Sequence, residues 1–378
     1  MKLIHLSDLH LGKRVNEISL LEDQEYILEQ IIEKVEAEHP QAVILAGDIY
    51  DKAVPSAEAV RLFDRFLYRL SAEDRSVFVI SGNHDSPERV AFGARLMVPC
   101  GVHLSPVYEG AVAPVRLDDA NGPVDFYMLP FVRPAHVRRF FPQEEIQTFS
   151  EALRVIIGSL PLDPLARNVL ITHQFVAGAT LCESEDISVG GTDAVDVSLF
   201  DAFDYVALGH LHSPQNMKRE SIRYCGSPLK YSFSEVRHRK SLTVVELEAK
   251  GQTTVRTTEL IPLRDMAEYK GRYLELTARS FYLDLDTEAY IHITLTDEED
   301  IPDAIGKLRT IYPNIMKLDY DNLRTRSGAG FLDAEGIKEK DPLEVFADFY
   351  ERQNDQELAG EARAFTERLV REIWEEAQ

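Results

Sequence analysis

Ser81-Gly82-Asn83-His84-Asp85 follows the apolar run Val77-Phe78-Val79-Ile80 and sets an amide, an imidazole and a carboxylate side by side where a buried strand should end. One such cluster can be an ordinary turn, because Gly and Asn tolerate left-handed backbone and Asp can cap the next helix. What separates a turn from a site is recurrence. Lys2–Ser7 reads as a strand whose end carries Asp8-Leu9-His10, Ala42–Ala46 as a second ending in Gly47-Asp48, Asn168–Thr172 as another ending in His173, and Tyr205–Leu208 as one ending in Gly209-His210-Leu211-His212. Five strand ends therefore carry metal-type side chains, which ordinary turns do not explain as a set.

Between these runs lie helical patterns. Leu20, Ile27, Leu28, Ile31 and Val35 mark one amphipathic helix, and Ala59, Leu62, Phe63, Phe66, Leu67 and Leu70 mark another. Further strands are expected at Asp125–Leu129, Ile222–Cys225, Ser241–Leu247 and Thr253–Thr258. The alternation predicts an α/β sandwich with at least one partly parallel sheet. In such a sheet, side chains at the carboxyl ends of the strands converge on one crevice, which is where ligands bind.

The ligand types point to the chemistry. Asp8, His10, Asp48, Asn83, His173, His210 and His212 offer carboxylates, imidazoles and one amide oxygen without a cysteine, a set that suits manganese, iron or zinc. These seven groups exceed what one ion accepts, so two are expected, sharing a bridging carboxylate and lowering the pKa of a water between them. In-line attack on a phosphoester fits such a pair. A glycine before Asp48, Asn83 and His210 lets the backbone turn tightly and the next side chain approach the ions.

Composition narrows the class. At 378 residues and 44% hydrophobic content the chain can bury a large core. The first residues are apolar too briefly for a signal peptide, and no apolar run approaches the roughly 20 residues of a membrane span, so a soluble cytoplasmic protein is expected. Cys100, Cys182 and Cys225 have no paired spacing and are expected as reduced core thiols. The 41 Lys+Arg against 64 Asp+Glu leave a net charge of −23, which repels nucleic acid unless cations or a partner intervene. Acidity is densest over 251–378, where 28 acidic residues face 16 basic ones.

Asp-x-His, Gly-Asp, Gly-Asn-His-Asp, a lone His and Gly-His-x-His, in that order, resemble the calcineurin-like metallophosphoesterases. Leu6-Ser7-Asp8-Leu9-His10-Leu11-Gly12, Ser188-Val189-Gly190-Gly191-Thr192 and Gly226-Ser227-Pro228-Leu229-Lys230-Tyr231-Ser232-Phe233 are similar to one branch of that class, the nuclease subunits of bacterial SbcCD-type double-strand-break repair complexes, and this likeness runs over nearly the whole chain. It implies a metallophosphoesterase sandwich of two mixed sheets flanked by helices. The domain boundary is expected near Ile261-Pro262-Leu263, giving a nuclease domain over 1–262 and a small α+β capping domain over 263–326, with pattern segments at Arg272–Leu276 and Tyr290–Leu295, a helix around Ile301–Tyr312 and a further segment at Ile315–Asp319. A linker over 327–340 and C-terminal helices over 341–378 follow, the helices docking on an ATPase partner of the SbcC type.

The resemblance also implies roles. Asp8, His10, Asp48 and His212 would hold one manganese and Asp48, Asn83, His173 and His210 the other, with Asp48 as the bridge. His84 would contact the scissile phosphate and protonate the leaving 3′ oxygen, and Asp85 would orient His84 or cap the following helix. Archaeal and eukaryotic relatives place a phosphate-facing histidine shortly after Gly-Asp. This chain reads Gly47-Asp48-Ile49-Tyr50-Asp51-Lys52, so that role is not transferred, and Asp51 is left to bind water or cap a helix. Lys13 and Arg14, just past the first motif, are candidates for DNA contact. The runs Arg133, His136, Arg138, Arg139 and Arg237, His238, Arg239, Lys240 read either as DNA contacts or as a solvated face. His5, His39, His103 and His292 lack a partner motif and read as structural.

The expected function is a two-metal DNA nuclease, an exonuclease on duplex ends and an endonuclease on hairpins or blocked ends, working in repair and recombination as a homodimer within a heterotetramer. The alternative, a phosphatase or cyclic-nucleotide phosphodiesterase, would use the same ions without needing the cap or the tail.

Overall fold

The structure, a computed structural model, describes residues 1–182, 185, 194–299, 301–323, 325, 343, 344, 346, 347, 350, 358 and 360–376. Its strands are β1 (Lys2–Leu6), a short hairpin of β2 (Arg14–Val15) and β3 (Ile18–Ser19), β4 (Ala42–Ala46), β5 (Ser76–Ile80), β6 (Val102–Leu104), β7 (Pro114–Asp119), β8 (Gly122–Leu129), β9 (Arg167–His173), β10 (Tyr205–Gly209), β11 (Gln215–Met217), β12 (Arg219–Tyr224), β13 (Ser241–Leu247), β14 (Thr253–Glu259), β15 (Met266–Gly271), β16 (Tyr290–Leu295) and β17 (Ile315–Tyr320). Two six-stranded sheets form, in the orders β14-β13-β1-β4-β5-β6 and β11-β12-β10-β9-β8-β7. β1, β4, β5 and β6 run parallel, as do β8, β9, β10 and β12, with antiparallel pairs at the margins. The sandwich of two mixed sheets is thus the architecture found.

Side-chain alternation along each strand explains the layering. In β4, Val43 and Leu45 pack with Ile27, Ile31 and Val35 of helix α1 (Leu21–Glu38) and Leu62 and Phe66 of helix α2 (Ala57–Leu70). The intervening Ala42, Ile44 and Ala46 join Phe126, Val169, Ile171 and Tyr205 from the other sheet. Phe78 stacks on Phe126 across this layer, with ring centroids 4.3 Å apart and planes at 15°. Both helices lie where the periodicity places them, and Ser56 caps α2 by accepting from Ala59 N at 3.2 Å.

The outer face of the second sheet is covered by the helix Phe149–Ser159, whose Ala152, Leu153 and Ile156 pack with Tyr127, Leu129, Leu170 and Val206. Sequence reasoning missed this helix although Thr148-Phe149-Ser150-Glu151 is a capping-box pattern, with Glu151 N on Thr148 Oγ1 at 3.2 Å and Thr148 N on Glu151 Oε2 at 2.9 Å. Of the three cysteines expected in the core, only Cys225 is buried; Cys182 is half-buried and Cys100 exposed.

The chain divides into two compact units, Met1–Tyr269 with Thr277–Ile293 and Ala304–Leu318, and Lys270–Leu276 with Thr294–Asp303 and Asp319–Gln378. Strands β15, β16 and β17 form a three-stranded sheet. Over Arg272–Leu276 the backbone makes a helical turn, Tyr273–Leu276, and the neighbouring strand lies earlier, at Met266–Gly271. Asp297 Oδ2 accepts from Tyr273 N at 2.7 Å and Asp297 O from Asn322 Nδ2 at 3.0 Å. In the helix Gly360–Glu376, Ala362, Phe365 and Leu369 are exposed. Ser188–Thr192, the linker over 327–340, Asp341-Pro342 and Phe349 lie outside the described residues.

Candidate metal centre

The carboxyl ends of β1, β4 and β5 in one sheet and of β9 and β10 in the other open on one place. Their loops lock together through main-chain bonds: Asp8 N donates to Gly47 O at 3.0 Å, His10 N to Asp48 O at 2.9 Å and Leu11 N to Ile49 O at 2.9 Å. Four of the candidate ligands sit at positive φ: Asp8 (55°), His10 (44°), Asp48 (49°) and His210 (105°). Such backbone costs of order 1–3 kcal/mol per residue and persists only where the surroundings enforce it.

All seven sequence-predicted ligands meet here. His10 Nε2 lies 3.1 Å from His212 Nε2 and 3.6 Å from Asp48 Oδ2. His173 Nε2 lies 3.3 Å from Asp48 Oδ2 and 3.0 Å from Asn83 Oδ1, which is also 2.9 Å from His210 Nδ1. Three ligand triads result, Asp8 with His10 and His212, His10 with Asp48 and His84, and Asp8 with Asp48 and His173, each with donor atoms within 4.8 Å of one another. The donor set fits divalent cations: nitrogens and oxygens converge in a buried space, and Asp48 enters two of the triads.

Electrostatics agree with that fit. Burial pushes the Asp8 carboxyl up to about 6, with Asp48 adding to the rise and His173 and His212 opposing it. Burial also works against charge on Asp48, but the His173 ring beside it, with His10 and His84, holds its carboxyl well below the usual carboxylate range. Against the same burial, Asp48 lifts His173 to about 9, whereas burial and the His173 charge lower His210 to about 3. His173 Nδ1 faces Ala46 O at 2.8 Å, so it carries a proton and directs Nε2 at the cluster.

His84 stands beside the cluster. Its backbone N donates to Asp48 Oδ1 at 2.9 Å, and its Nδ1 faces Asp51 O at 3.1 Å. The Asp85 carboxylate accepts from Ile49 N at 3.0 Å, Tyr50 N at 2.9 Å and Gly82 N at 3.0 Å, tying together two loops that bear candidate ligands. Asp51 Oδ1 pairs with Lys13 Nζ at 2.8 Å.

The basic residues scatter more. Arg14 bonds to Glu17 O, Arg138 gives Nη1 to Ile146 O at 2.7 Å, and Arg139, Arg237 and Arg239 are exposed. Lys240 is no surface contact: it is buried against Glu235, with Nζ 2.5 Å from Oε2. Sequence reasoning missed Glu235, which follows the Gly226–Phe233 stretch as an isolated acid in a short 3₁₀ turn, Phe233–Glu235. Only the fold brings it to His212.

A two-sheet sandwich holding Asp, Asn and His side chains at converging strand ends defines a metallophosphoesterase. Residues 1–214 match the family model described as calcineurin-like phosphoesterase, and the chain belongs to that family. Residues 262–354 match a second family, described as type 5 capsule protein repressor C-terminal domain. Over 363 residues, 95% of each chain, it is 34% identical to an SbcCD nuclease subunit of Staphylococcus epidermidis. A dimetal phosphatase from Danio rerio aligns with 69% of this chain and 96% of its own, at 12% identity and a TM-score of 0.41.

Proposed function

We propose that the chain is a two-metal, manganese-loaded DNA nuclease, an exonuclease on duplex ends and an endonuclease on hairpins or blocked ends, acting with an SbcC-type ATPase as a homodimer within a heterotetramer in the cytoplasm. The observation that carries this reading is the end-to-end likeness to a nuclease subunit combined with a complete Asp/Asn/His cluster. In this reading residues 1–262 form the nuclease domain, 263–326 the cap, 327–340 a linker and 341–378 the helices that meet the ATPase. Among the described residues no helix is long and apolar enough to cross a membrane.

Asp8, His10, Asp48 and His212 would hold one ion, and Asp48, Asn83, His173 and His210 would hold the other. Divalent ions there would supply Lewis-acid stabilisation of the phosphoester's developing charge and make hydroxide accessible near neutral pH. The chain itself does the positioning: Asp85 fixes the Asp48 and Asn83 loops, and Asp51 O holds the His84 ring by its Nδ1. With Nδ1–H given to Asp51 O, a second proton on Nε2 exists only in the imidazolium form of His84, and that is the proton it would deliver to the leaving 3′ oxygen. Lys13, Arg14, Arg138, Arg139, Arg237 and Arg239 contribute DNA phosphate contacts, and the ATPase supplies the positive field that a chain of net charge −23 lacks.

The test is the purified chain, with and without its ATPase partner, on linear duplex, hairpin DNA and a phosphomonoester under manganese, magnesium and chelator. Asp48→Ala should lose metal and cleavage together. His84→Ala should keep two ions and lose about 10²–10⁴-fold in rate, the worth of general acid catalysis. Cleavage of the monoester alone would make the protein a phosphatase, and loss of manganese from His84→Ala would make His84 a ligand, as its place beside His10 and Asp48 permits.

A further inference from the structure

His212 is gripped at both ends by one buried ion pair. Glu235 Oε1 lies 3.2 Å from His212 Nδ1, and Glu235 Oε2 lies 2.5 Å from Lys240 Nζ. Lys240 Nζ in turn donates to His212 O at 2.8 Å and to Ser227 Oγ at 2.9 Å. The three side chains are 0%, 3% and 2% exposed for Glu235, Lys240 and His212. A buried Glu–Lys pair is a poor stabiliser, because desolvating the charges offsets most of their attraction and apolar residues of similar volume serve as well or better. Its place beside a ligand histidine gives it another use.

We propose that Glu235, ion-paired with Lys240, is a positioning residue that sets the tautomer and orientation of His212 for cation binding. An ionised carboxylate only accepts hydrogen bonds, so the imidazole nitrogen facing it must carry the proton. A neutral ring then has its lone pair on Nε2, the atom that lies 3.1 Å from His10 Nε2. The partner carboxylate also makes the ring a stronger donor to a metal. Lys240 has two tasks, pairing with Glu235 and fixing the His212 main chain. Among the described residues, His173 turns its second nitrogen to a backbone carbonyl instead, and His10 Nδ1 comes no closer than 3.9 Å to the Asp51 carboxylate, so the close charged partner is assigned to His212.

This inference rests on the two-ion reading above, and the test separates the two. Glu235→Leu alone leaves Lys240 buried without its partner and is expected to unfold the site. The informative variant is Glu235→Leu with Lys240→Met, which keeps an apolar packing unit and removes the acceptor. Full-length wild type and double variant are dialysed against a manganese series, with bound metal counted by elemental analysis, spin coupling read by electron paramagnetic resonance, and melting followed in parallel. The expected result is near-wild-type melting, about 10–100-fold weaker binding of one ion with the other retained, and replacement of a coupled-pair spectrum by that of an isolated ion. Wild type that binds a single ion overturns the proposal through the two-ion reading. Wild type and double variant that bind two ions with equal affinity overturn it on its own, leaving Glu235 and Lys240 a packing unit.

Discussion

The backbone of His210, at φ 105°, is held where an L-residue rarely goes, and Gly209 before it has no room for a side chain. A Cβ on Gly209 would fall well inside contact distance of Ala46 O and 2.6 Å from His173 Nδ1. Both obstacles are fixed, since Ala46 O belongs to β4 and is the partner of His173 Nδ1. Gly82 meets a similar limit, its Cβ position lying 2.5 Å from Asp48 N. Gly209→Ala is therefore expected to push the two sheets apart where they share the centre. It should cost about 1–3 kcal/mol, in the range of overpacked cores, and weaken the binding of divalent metal. Urea denaturation with parallel metal analysis reads both effects, and a variant with normal stability and full metal would mean that the sheets yield there freely.

At the amino end of β9 a single side chain does for the opposite edge of the sandwich what the ligands do for the centre. Arg167, 2% exposed, donates to Asp119 Oδ2 at 3.0 Å, Gly122 O at 2.6 Å, Leu247 O at 3.0 Å and Glu248 O at 3.0 Å. It thereby joins the ends of β7 and β8 to the end of β13 in the other sheet. Losing one partner of such a buried pair costs about 3–5 kcal/mol, the expected effect of Arg167→Met. The hydrogen bond from Arg167 holds the Asp119 carboxyl well below the usual range, against the burial that would raise it. A carboxyl with a lowered folded pKa stabilises the fold above its unfolded value of about 4 and loses that contribution as pH falls through the folded value. The stability difference between wild type and Asp119→Asn should accordingly shrink between pH 6 and pH 2. A difference constant over that range would show that Arg167 does not need the charge.

For the whole molecule the question is where a strongly acidic chain finds its DNA and its partner. The helix Gly360–Glu376 leaves Phe365 55% and Leu369 44% exposed, so an apolar stripe legible in the spacing of Leu358, Ala362, Phe365, Leu369 and Ile373 is not covered at those positions. Under the proposed docking on an SbcC-type ATPase, Phe365→Glu with Leu369→Glu should abolish co-purification with the partner. Metal-dependent cleavage of simple substrates by the isolated chain should stay unchanged. Undiminished co-purification would place the docking surface elsewhere, and loss of bound metal would assign the helix to the chain's own fold.

The five strands that carry the seven candidate ligands, and the helices α1 and α2, could be read from the chain because both depend on local regularities. Period-2 and period-3.6 patterns mark what faces a core, and a polar cluster at the end of a buried strand has no packing reason to be there. The parallel strands then point those ends the same way. What the chain could not disclose depended on contacts between distant segments. Asp85 lies one residue from His84, yet its carboxylate binds the Ile49 and Tyr50 loop. Lys240 sits in a basic surface-like run, yet it is buried on Glu235, and Glu235 reaches His212 across 23 residues. Arg167 looks like an ordinary strand-start charge until the two sheets stack and enclose it. Hydrogen bonds to charged groups carry no periodicity, so tertiary structure alone decided which partner each of these groups would take.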